Sequence, residues 1–560
     1  MALEEKQILD LLLSQQYVSS ADLARVEKLS KQGAGTPLDL LLSGGFLSKD
    51  LLGQALAEFY KVPYADLNTK MPSREQILLI PEGVAKQFRA VLFTDAPKKF
   101  VIATDLPQTS GLSTAVKESA KGRTVSVVYA LSEDIDRALQ TYWKPLETEL
   151  SEILSNTKRA APELVEEILH QAIGLRASDI HFEPQEKEVV IRFRIDGVMQ
   201  RVASLKRETY ENVLNRLKVM SHLRTDQHDK ALDGSIRYRY EGDAVDIRVS
   251  IVPIFDGEKV VLRLLSSYTR GLSLESLGLS SPDQEKLITA SNKPFGMILV
   301  AGPTGSGKTT TLYGVMKILN TVEVNIATIE DPVEYKIPNV NHMQVNSETG
   351  LTFARGLRSI VRQDPDIILV GEIRDEETAD IATNAALTGH LLLSTFHAND
   401  AATAIPRLLD MGVEPFLLAS TLELVIAQRL VRKICDQCRY SLIKTEKQIK
   451  KEAPDLYYFS PKKSYTLYAG KGCHACAGTG FSGRTAILEI IEISSALQSL
   501  IMTRPSTQDI WKLARAEGAT SMFEDGLQKV LQGLTTLEEL HRIASPSRED
   551  LVAMQKRGFV

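Results

Sequence analysis

Residues 302–309 read Gly-Pro-Thr-Gly-Ser-Gly-Lys-Thr, filling every position of the phosphate-binding template Gly-x-x-x-x-Gly-Lys-[Ser/Thr]. No other stretch limits the fold as much. Such a loop works only between a buried strand and the start of a helix, where backbone N–H groups converge on phosphate oxygens and the helix dipole adds positive potential. Both flanks fit: Met297 to Ala301 is an apolar run that reads as a buried strand, and Thr310 to Leu319 reads as a helix with Leu312, Val315, Met316 and Leu319 on its apolar positions. The candidate phosphate-binding residues are therefore Gly302, Pro303, Thr304, Gly305, Ser306, Gly307, Lys308, Thr309 and Thr310. Lys308 would reach the β- and γ-phosphates, and Thr309 would offer its hydroxyl to Mg²⁺. A glycine turn that holds no nucleotide is the plainer alternative, but it does not require strand, loop and helix in that order.

The chain has 560 residues, enough for three or four domains of ordinary size. With 43% hydrophobic and 24% charged residues it has the composition of a soluble globular protein. A net charge of −5 lacks the basic excess of a nucleic-acid binder. No window approaches the roughly 18 to 20 apolar residues that span a bilayer, and the start Met-Ala-Leu-Glu-Glu-Lys has no signal-peptide pattern. The expectation is a cytoplasmic protein that meets a membrane only through a partner.

Along the chain, Ile8 to Ser14 recurs as Pro37 to Ser43, each copy followed by an aromatic, an aliphatic and a serine: Tyr17-Val18-Ser19 and Phe46-Leu47-Ser48. The serines suit helix N-caps, so residues 1–65 read as two copies of a short helical unit. Residues 66–140 read as mixed α/β, with strands at Ala90 to Phe93 and Phe100 to Ala103. Together, 1–140 form an N-terminal domain. Residues 141–162 read as a polar linker punctuated by Pro145 and Pro162. A small α+β domain (PAS-like in type) is expected over 163–272, with strands near Val189 to Ile195, Ser235 to Tyr240, Ala244 to Val252 and Lys259 to Leu265, and a helix over Tyr210 to Met220. From 285 to 560 strands alternate with helices, as in a doubly wound parallel sheet. A cysteine-bearing insertion at 430–485 interrupts it, and a helical part closes the chain. The fold class expected is α/β multidomain, with a C-terminal RecA-like motor domain.

Three more apolar runs end in polar groups: Ala327 to Ile329 in Glu330-Asp331-Pro332-Val333-Glu334, Ile367 to Val370 in Gly371-Glu372-Ile373-Arg374-Asp375, and Leu391 to Thr395 in Phe396-His397. In a parallel sheet the carboxyl ends of strands line one crevice, so all three would face the phosphate loop. Hydrolysis needs a water aimed in line with the γ-phosphate and compensation of its charge. Glu372 is the candidate to orient or deprotonate that water. Glu330 and Asp331 would hold Mg²⁺ through coordinated water, and His397 would sense the γ-phosphate or position a neighbour. Each acid taken alone reads equally well as a helix cap or surface carboxylate, and His397 as a strand-end structural histidine.

With these motifs in hand, the chain resembles the secretion ATPases of the type II secretion and type IV pilus assembly family over nearly its whole length. Gly302 to Thr309 matches the family's Walker A, Thr328 to Glu334 its Asp box, Asp366 to Asp375 its atypical Walker B, Gly389 to His397 its His box, and Ala177-Ser178-Asp179-Ile180-His181-Phe182-Glu183-Pro184 the signature that opens its middle domain. The resemblance implies a homo-hexameric ATPase that uses ATP and Mg²⁺ and acts through an inner-membrane platform protein, peripheral at the inner face of the cytoplasmic membrane. It implies that Arg248 and Arg263 of the middle domain reach the γ-phosphate, and that Glu334, Arg358 and Arg362 lie near the nucleotide. Independently, Asp256-Gly257 is a strong hairpin signal. A two-residue turn there sets Arg248 opposite Leu265 and Arg263 opposite Ser250, making the two arginines diagonal neighbours on one face, and a four-residue loop would oppose them directly on that same face. Pilus assembly is the function expected, with type II secretion as the alternative from the same chemistry. Rivals of other kinds are a nucleotide-dependent scaffold without turnover and a RecA-like nucleic-acid translocase; a retraction motor fits the four cysteines poorly.

Those four, Cys435, Cys438, Cys473 and Cys476, form two C-x-x-C pairs. Four thiolates complete a closed tetrahedral structural Zn²⁺ site with no open catalytic position. The N-terminal repeat resembles a family domain that in some members binds cyclic di-GMP through Arg-Leu-Gly. Here the triplets are Ile8-Leu9-Asp10 and Pro37-Leu38-Asp39. Without the arginine such binding is not expected, and docking to another protein is.

Overall fold

The computed structural model describes residues 5–546 apart from 32–35, 44–45, 68–69, 143–145, 157–160, 241–242, 266–276, 446, 450–463 and 474–475. The first repeat unit is the helices Glu5–Ser14 and Ser20–Lys31, the second Pro37–Ser43 and Lys49–Phe59. Ser19 and Ser48 do sit where the helices begin: Ser19 Oγ accepts the Asp22 N–H at 3.1 Å and Ser48 Oγ the Leu51 N–H at 3.2 Å. Leu12 and Leu41, equivalent in the repeat, are both buried in one cluster. A three-stranded sheet follows, β1 (Ala90–Asp95), β2 (Lys99–Thr104) and β3 (Thr124–Tyr129), in that order.

The stretch expected as a linker differs where it is described. Leu146–Asn156 is a helix, and Leu146 and Leu150 are buried in the core of the middle domain. Four-residue spacing puts these leucines on one helix face, a signal masked in the sequence by surrounding glutamates. Pro145 lies outside the described residues, as does the expected boundary at 272.

The middle domain is a six-stranded antiparallel sheet in the order β6-β5-β4-β9-β8-β7: β4 (Asp179–Pro184), β5 (Glu188–Ile195), β6 (Val198–Lys206), β7 (Leu232–Tyr240), β8 (Asp243–Ile254) and β9 (Gly257–Leu265). The helices Ala161–Gly174 and Arg207–Met220 share its core. The β8–β9 register departs from expectation. Ile254 pairs with Gly257, so Phe255 and Asp256 make the turn and Gly257 is the first residue of β9. Moving the turn by one residue moves the register by two, which keeps the face but sets Arg248 directly opposite Arg263.

The motor sheet runs β12-β11-β13-β14-β10-β15-β18: β10 (Gly296–Ala301), β11 (Ile326–Glu330), β12 (Val340–Gln344), β13 (Ile367–Val370), β14 (Leu391–Phe396), β15 (Leu422–Ile434) and β18 (Phe481–Glu492). The first six are parallel, and β18 returns antiparallel to β15. Every residue of β10, β11, β13 and β14 is buried, as expected for a sheet covered on both faces. The cysteine insertion leaves between Ile434 and Phe481, which pair with each other, and carries its own hairpin β16 (Arg439–Thr445) and β17 (Ser464–Gly470). The helices Ser495–Ile501, Thr507–Ala516, Met522–Leu531 and Leu537–Ile543 close the domain.

Candidate nucleotide site

The loop 302–307 joins β10 to the helix Lys308–Leu319. Gly302 and Gly307 have φ of 151° and 87°, and a Cβ on them would come within 2.5 Å of Gln428 O and 2.8 Å of Gln428 Nε2. Only glycine lets the loop fold this tightly against β15. Lys308 Nζ donates to the carbonyls of Gly302 at 2.9 Å and Pro303 at 3.1 Å, so the cation lies along the loop. Burial lowers its pKa, opposed by the charge of Glu372. Ser306 Oγ and Gln428 Nε2 are buried donors without a protein partner, while Gln428 Oε1 accepts from Thr311 Oγ1 at 2.7 Å. Unpaired buried donors beside a glycine loop and a helix N-terminus suit an acceptor-rich phosphate chain. Thr309 and Thr310 continue the helix, both partly exposed.

Glu372 and His397 stand just past β13 and β14. Ser394 Oγ donates to Val370 O at 2.7 Å and Thr395 Oγ1 to Gly371 O at 2.7 Å, tying the two strand ends together. Glu372 is buried, with Arg374 at 2.6 Å from Oε1 and His397 Nε2 at 3.2 Å from Oε2. The bond to Glu372 raises the Arg374 pKa, and the charge of Asp331 adds to it. The structure thus brings Lys308, Glu372 and His397 to one place and adds Arg374, which sequence reasoning missed although it lies two residues beyond Glu372.

Glu330 ends β11. It is buried at the end of β11, where Tyr313 Oη donates to Oε2 at 2.5 Å, Thr328 Oγ1 to Oε1 at 2.6 Å, and His342 Nδ1 lies 3.0 Å from Oε1. Both oxygens thus have protein partners, which hold the carboxylate in place at the end of β11. Strand alternation turns Glu330 toward the helix Lys308–Leu319, whereas Asp331, one residue on, is exposed.

Arg248 donates to Val333 O at 3.1 Å, a contact from the middle domain to the Asp box of the same chain. Burial raises the pKa of Glu334, and the charges of Arg248 and Arg263 oppose that rise. Arg263 Nε donates to Asp179 at 3.1 Å and Arg194 Nε lies 3.3 Å from the same carboxylate. Glu183 takes Arg192 at 2.7 Å and Lys259 at 3.1 Å. Asp179 and Glu183 alternate with buried Ile180 and Phe182 along β4, so the acidic positions of the middle-domain signature anchor the cations of β5 and β9. Arg358 and Arg362 are exposed, and Arg358 pairs with Glu377 at 2.6 Å; no contact joins either to the phosphate loop among the described residues.

The four cysteine Sγ atoms lie within 4.8 Å of one another. Cys435–Cys473, Cys438–Cys476 and Cys473–Cys476 are separated by 3.7, 3.8 and 3.7 Å. A sulfur tetrahedron with Zn–S of about 2.3 Å has edges of about 3.8 Å, so the donor set fits that ion. His474 and Ala475 lie outside the described residues.

A phosphate loop on a parallel sheet, with an acid and an imidazole at the adjacent strand ends, is the arrangement of a P-loop nucleotide-binding domain. The model for "Type II/IV secretion system protein" matches residues 155–542, and that for the MshEN domain matches 60–149. Among relatives, "Type IV pilus assembly ATPase PilB" of Myxococcus xanthus is 36% identical over 96% of this chain and 99% of its own. The protein of the same name from Thermus thermophilus is 38% identical over 91% of this chain; the chain spans 59% of that relative's length. "Type II secretion system protein E" of Pseudomonas aeruginosa is 44% identical over 75% of this chain and 82% of its own. The solved Legionella pneumophila ATPase DotB superposes with a TM-score of 0.51 at 21% identity, over 69% of this chain and 97% of that one, a likeness of fold. The chain belongs to the type II/IV secretion system ATPase family.

Proposed function

We propose that this chain hydrolyses ATP to power type IV pilus assembly, working as a hexamer on an inner-membrane platform protein. The observation that carries the reading is the convergence of Lys308, Glu372 and His397 at the carboxyl ends of β10, β13 and β14. On this reading Lys308 leaves the carbonyls of its own loop for the β- and γ-phosphates. Glu372, steadied by Arg374 and His397, orients the attacking water and takes its proton. Thr309 and Asp331 are the residues that would hold Mg²⁺, which neutralises developing phosphate charge when bound. Arg248 and Arg263, offset by Asp179 and Glu334, bring positive charge from the middle domain and make domain motion sensitive to the γ-phosphate. Arg358 and Arg362 would join a nucleotide site only by rearranging or across a subunit boundary. The cysteines would hold one structural zinc, and the N-terminal domain would dock a partner protein. Type II secretion is the second reading, favoured by the 44% identity to a secretion ATPase, and it uses the same chemistry.

The test is ATPase turnover of the full chain against Lys308→Ala and Glu372→Gln. Loss in both is expected; unchanged turnover in both overturns the catalytic assignment. Strong stimulation by DNA would instead favour a translocase.

A further inference from the structure

We propose that Asp196, at the tip of the β5–β6 turn, is a latch that holds the middle domain to its own motor domain, and that the cysteine module sets the catch on which it closes. The contact is one hydrogen bond: Asp196 Oδ2 accepts the Gly483 N–H at 2.9 Å. A charged acceptor makes it stronger than a neutral bond. Both partners are built for it.

Ile195 pairs with Val198, so Asp196 and Gly197 alone make the turn. Their φ values are 49° and 82°, the left-handed pair that the tightest two-residue hairpin turn requires. Such a turn has little freedom, so the Asp196 carboxylate leaves it from a fixed place. On the motor side, Arg432 pairs with Arg484 and Ile434 with Phe481, so β18 carries one residue more than β15 over that interval. Gly483, with φ 76°, supplies the left-handed residue of this bulge. A bulge interrupts the ladder and re-aims a group; here it presents the Gly483 N–H to Asp196 across the domain boundary.

The bulge stands on the cysteine cluster. Shortly before it, Gly480 donates its N–H to Cys476 Sγ at 3.2 Å and accepts the Cys435 N–H at 2.9 Å. The Arg432 guanidinium lies 4.2 Å over the centre of the Phe481 ring. Zinc on the four thiolates would hold Gly480 from both sides, and through it the path to Gly483. A second contact between the two domains, Arg248 to Val333 O at 3.1 Å, follows β11, about 24 Å from β18 at the usual strand spacing. Two contacts that far apart fix an orientation, which one alone would not. The Asp196 end is the one tied to the metal module.

Hydrogen exchange of the full chain, read by mass spectrometry before and after chelation of the metal, tests both halves. Asp196→Gly keeps a turn that accepts positive φ and deletes the acceptor. Exchange at Gly483 should rise about tenfold or more, the worth of a hydrogen bond to a charged group, with the melting temperature within about 2 °C of the parent. Asp196→Asn retains an oxygen acceptor and tolerates the same backbone, so it should restore most of the protection. Chelation of the parent should raise exchange over Phe193 to Met199, a segment of the other domain that holds no cysteine, and should add nothing there in Asp196→Gly. Coupling is reciprocal, so Asp196→Gly should also bind zinc several-fold more weakly in competition with a chelating dye, a measurement that stands if chelation unfolds the chain. Unchanged exchange at Gly483 in Asp196→Gly overturns the latch. Parent-like zinc affinity in that variant overturns the link to the cysteine module. None of these readouts involves ATP turnover, so they stand apart from the catalytic assignment.

Discussion

In the motor sheet the reactive groups stand at the carboxyl ends of buried parallel strands; in the middle sheet the charged groups lie side by side along antiparallel strands. Lys308, Glu372 and His397 are brought together by strand order, and hydroxyl bonds from Ser394 and Thr395 fasten the strand ends. Arg192, Arg194 and Arg263 are held laterally, by Asp179 and Glu183 on β4. Topology places the first set, so losing one member removes chemistry and leaves geometry. Ion pairing places the second, so losing one member moves its neighbours. The motor site should therefore respond to substitution steeply and locally, and the middle sheet more shallowly and cooperatively.

The largest effect should come from Glu372. Glu372→Gln keeps the shape and removes the base, and turnover should fall about 1,000-fold, on the order of 4 kcal/mol, with ATP affinity within threefold. Lys308→Ala should lose affinity as well. Binding and turnover measured on both variants decide whether the two residues act on separable steps. A joint loss of affinity would mean that Glu372 also organises the loop.

The same contrast explains what the sequence made legible. The strand-end positions of Gly302 to Thr309, Glu372 and His397 are legible because each follows an apolar run whose carboxyl end the parallel topology fixes. The partners of Glu330 are not legible in the same way: strand alternation within one sheet end decides which way its side chain faces, and Tyr313 and His342 lie on other elements. The shared face of the arginine pair is legible but its register is open, because a one-residue move of the turn changes pairing without changing alternation. Asp179 stood in a motif, but its partners Arg194 and Arg263 sit on two other strands, one of them far along the chain. The helix Leu146–Asn156 shows its apolar stripe only once the domain it packs against is known.

Next in size is the cysteine module, which hangs from the β15–β18 end of the motor sheet. Purified chain should carry one zinc by atomic emission, and Cys435→Ser should lose it and lower the melting temperature by roughly 10 °C. Full stability without metal would show that hairpin packing suffices. A smaller effect belongs to Glu539, whose carboxyl is held down to about 2 from an ordinary 4.5: burial would raise it, but Arg542 and Arg432 outweigh that. The unfolded chain then takes up this proton first as pH falls. The stabilisation is complete above about pH 4.5 and is lost as pH falls toward 2, a contribution on the order of 2 to 3 kcal/mol. Denaturant titrations at several pH values should show Glu539→Gln less stable than the parent at pH 7, with the gap closing through that window.

The smallest and most discriminating effect concerns the middle sheet. Asp179→Asn preserves shape but withdraws the charge shared by Arg194 and Arg263. Arg263 is largely exposed (63% of its side chain), so solvent screens the pair and the stability cost should be about 1 kcal/mol or less. Turnover should nevertheless fall about tenfold with KM for ATP within twofold, because a freed guanidinium is less often where the γ-phosphate needs it. Arg263→Ala should fall at least as far, and the double variant no further than Arg263→Ala alone, since Asp179 is argued to act through that arginine. If Asp179→Asn turns over like the parent while Arg263→Ala does not, Arg263 finds its position without a lateral anchor. The middle sheet would then be organised as the motor sheet is, by backbone geometry.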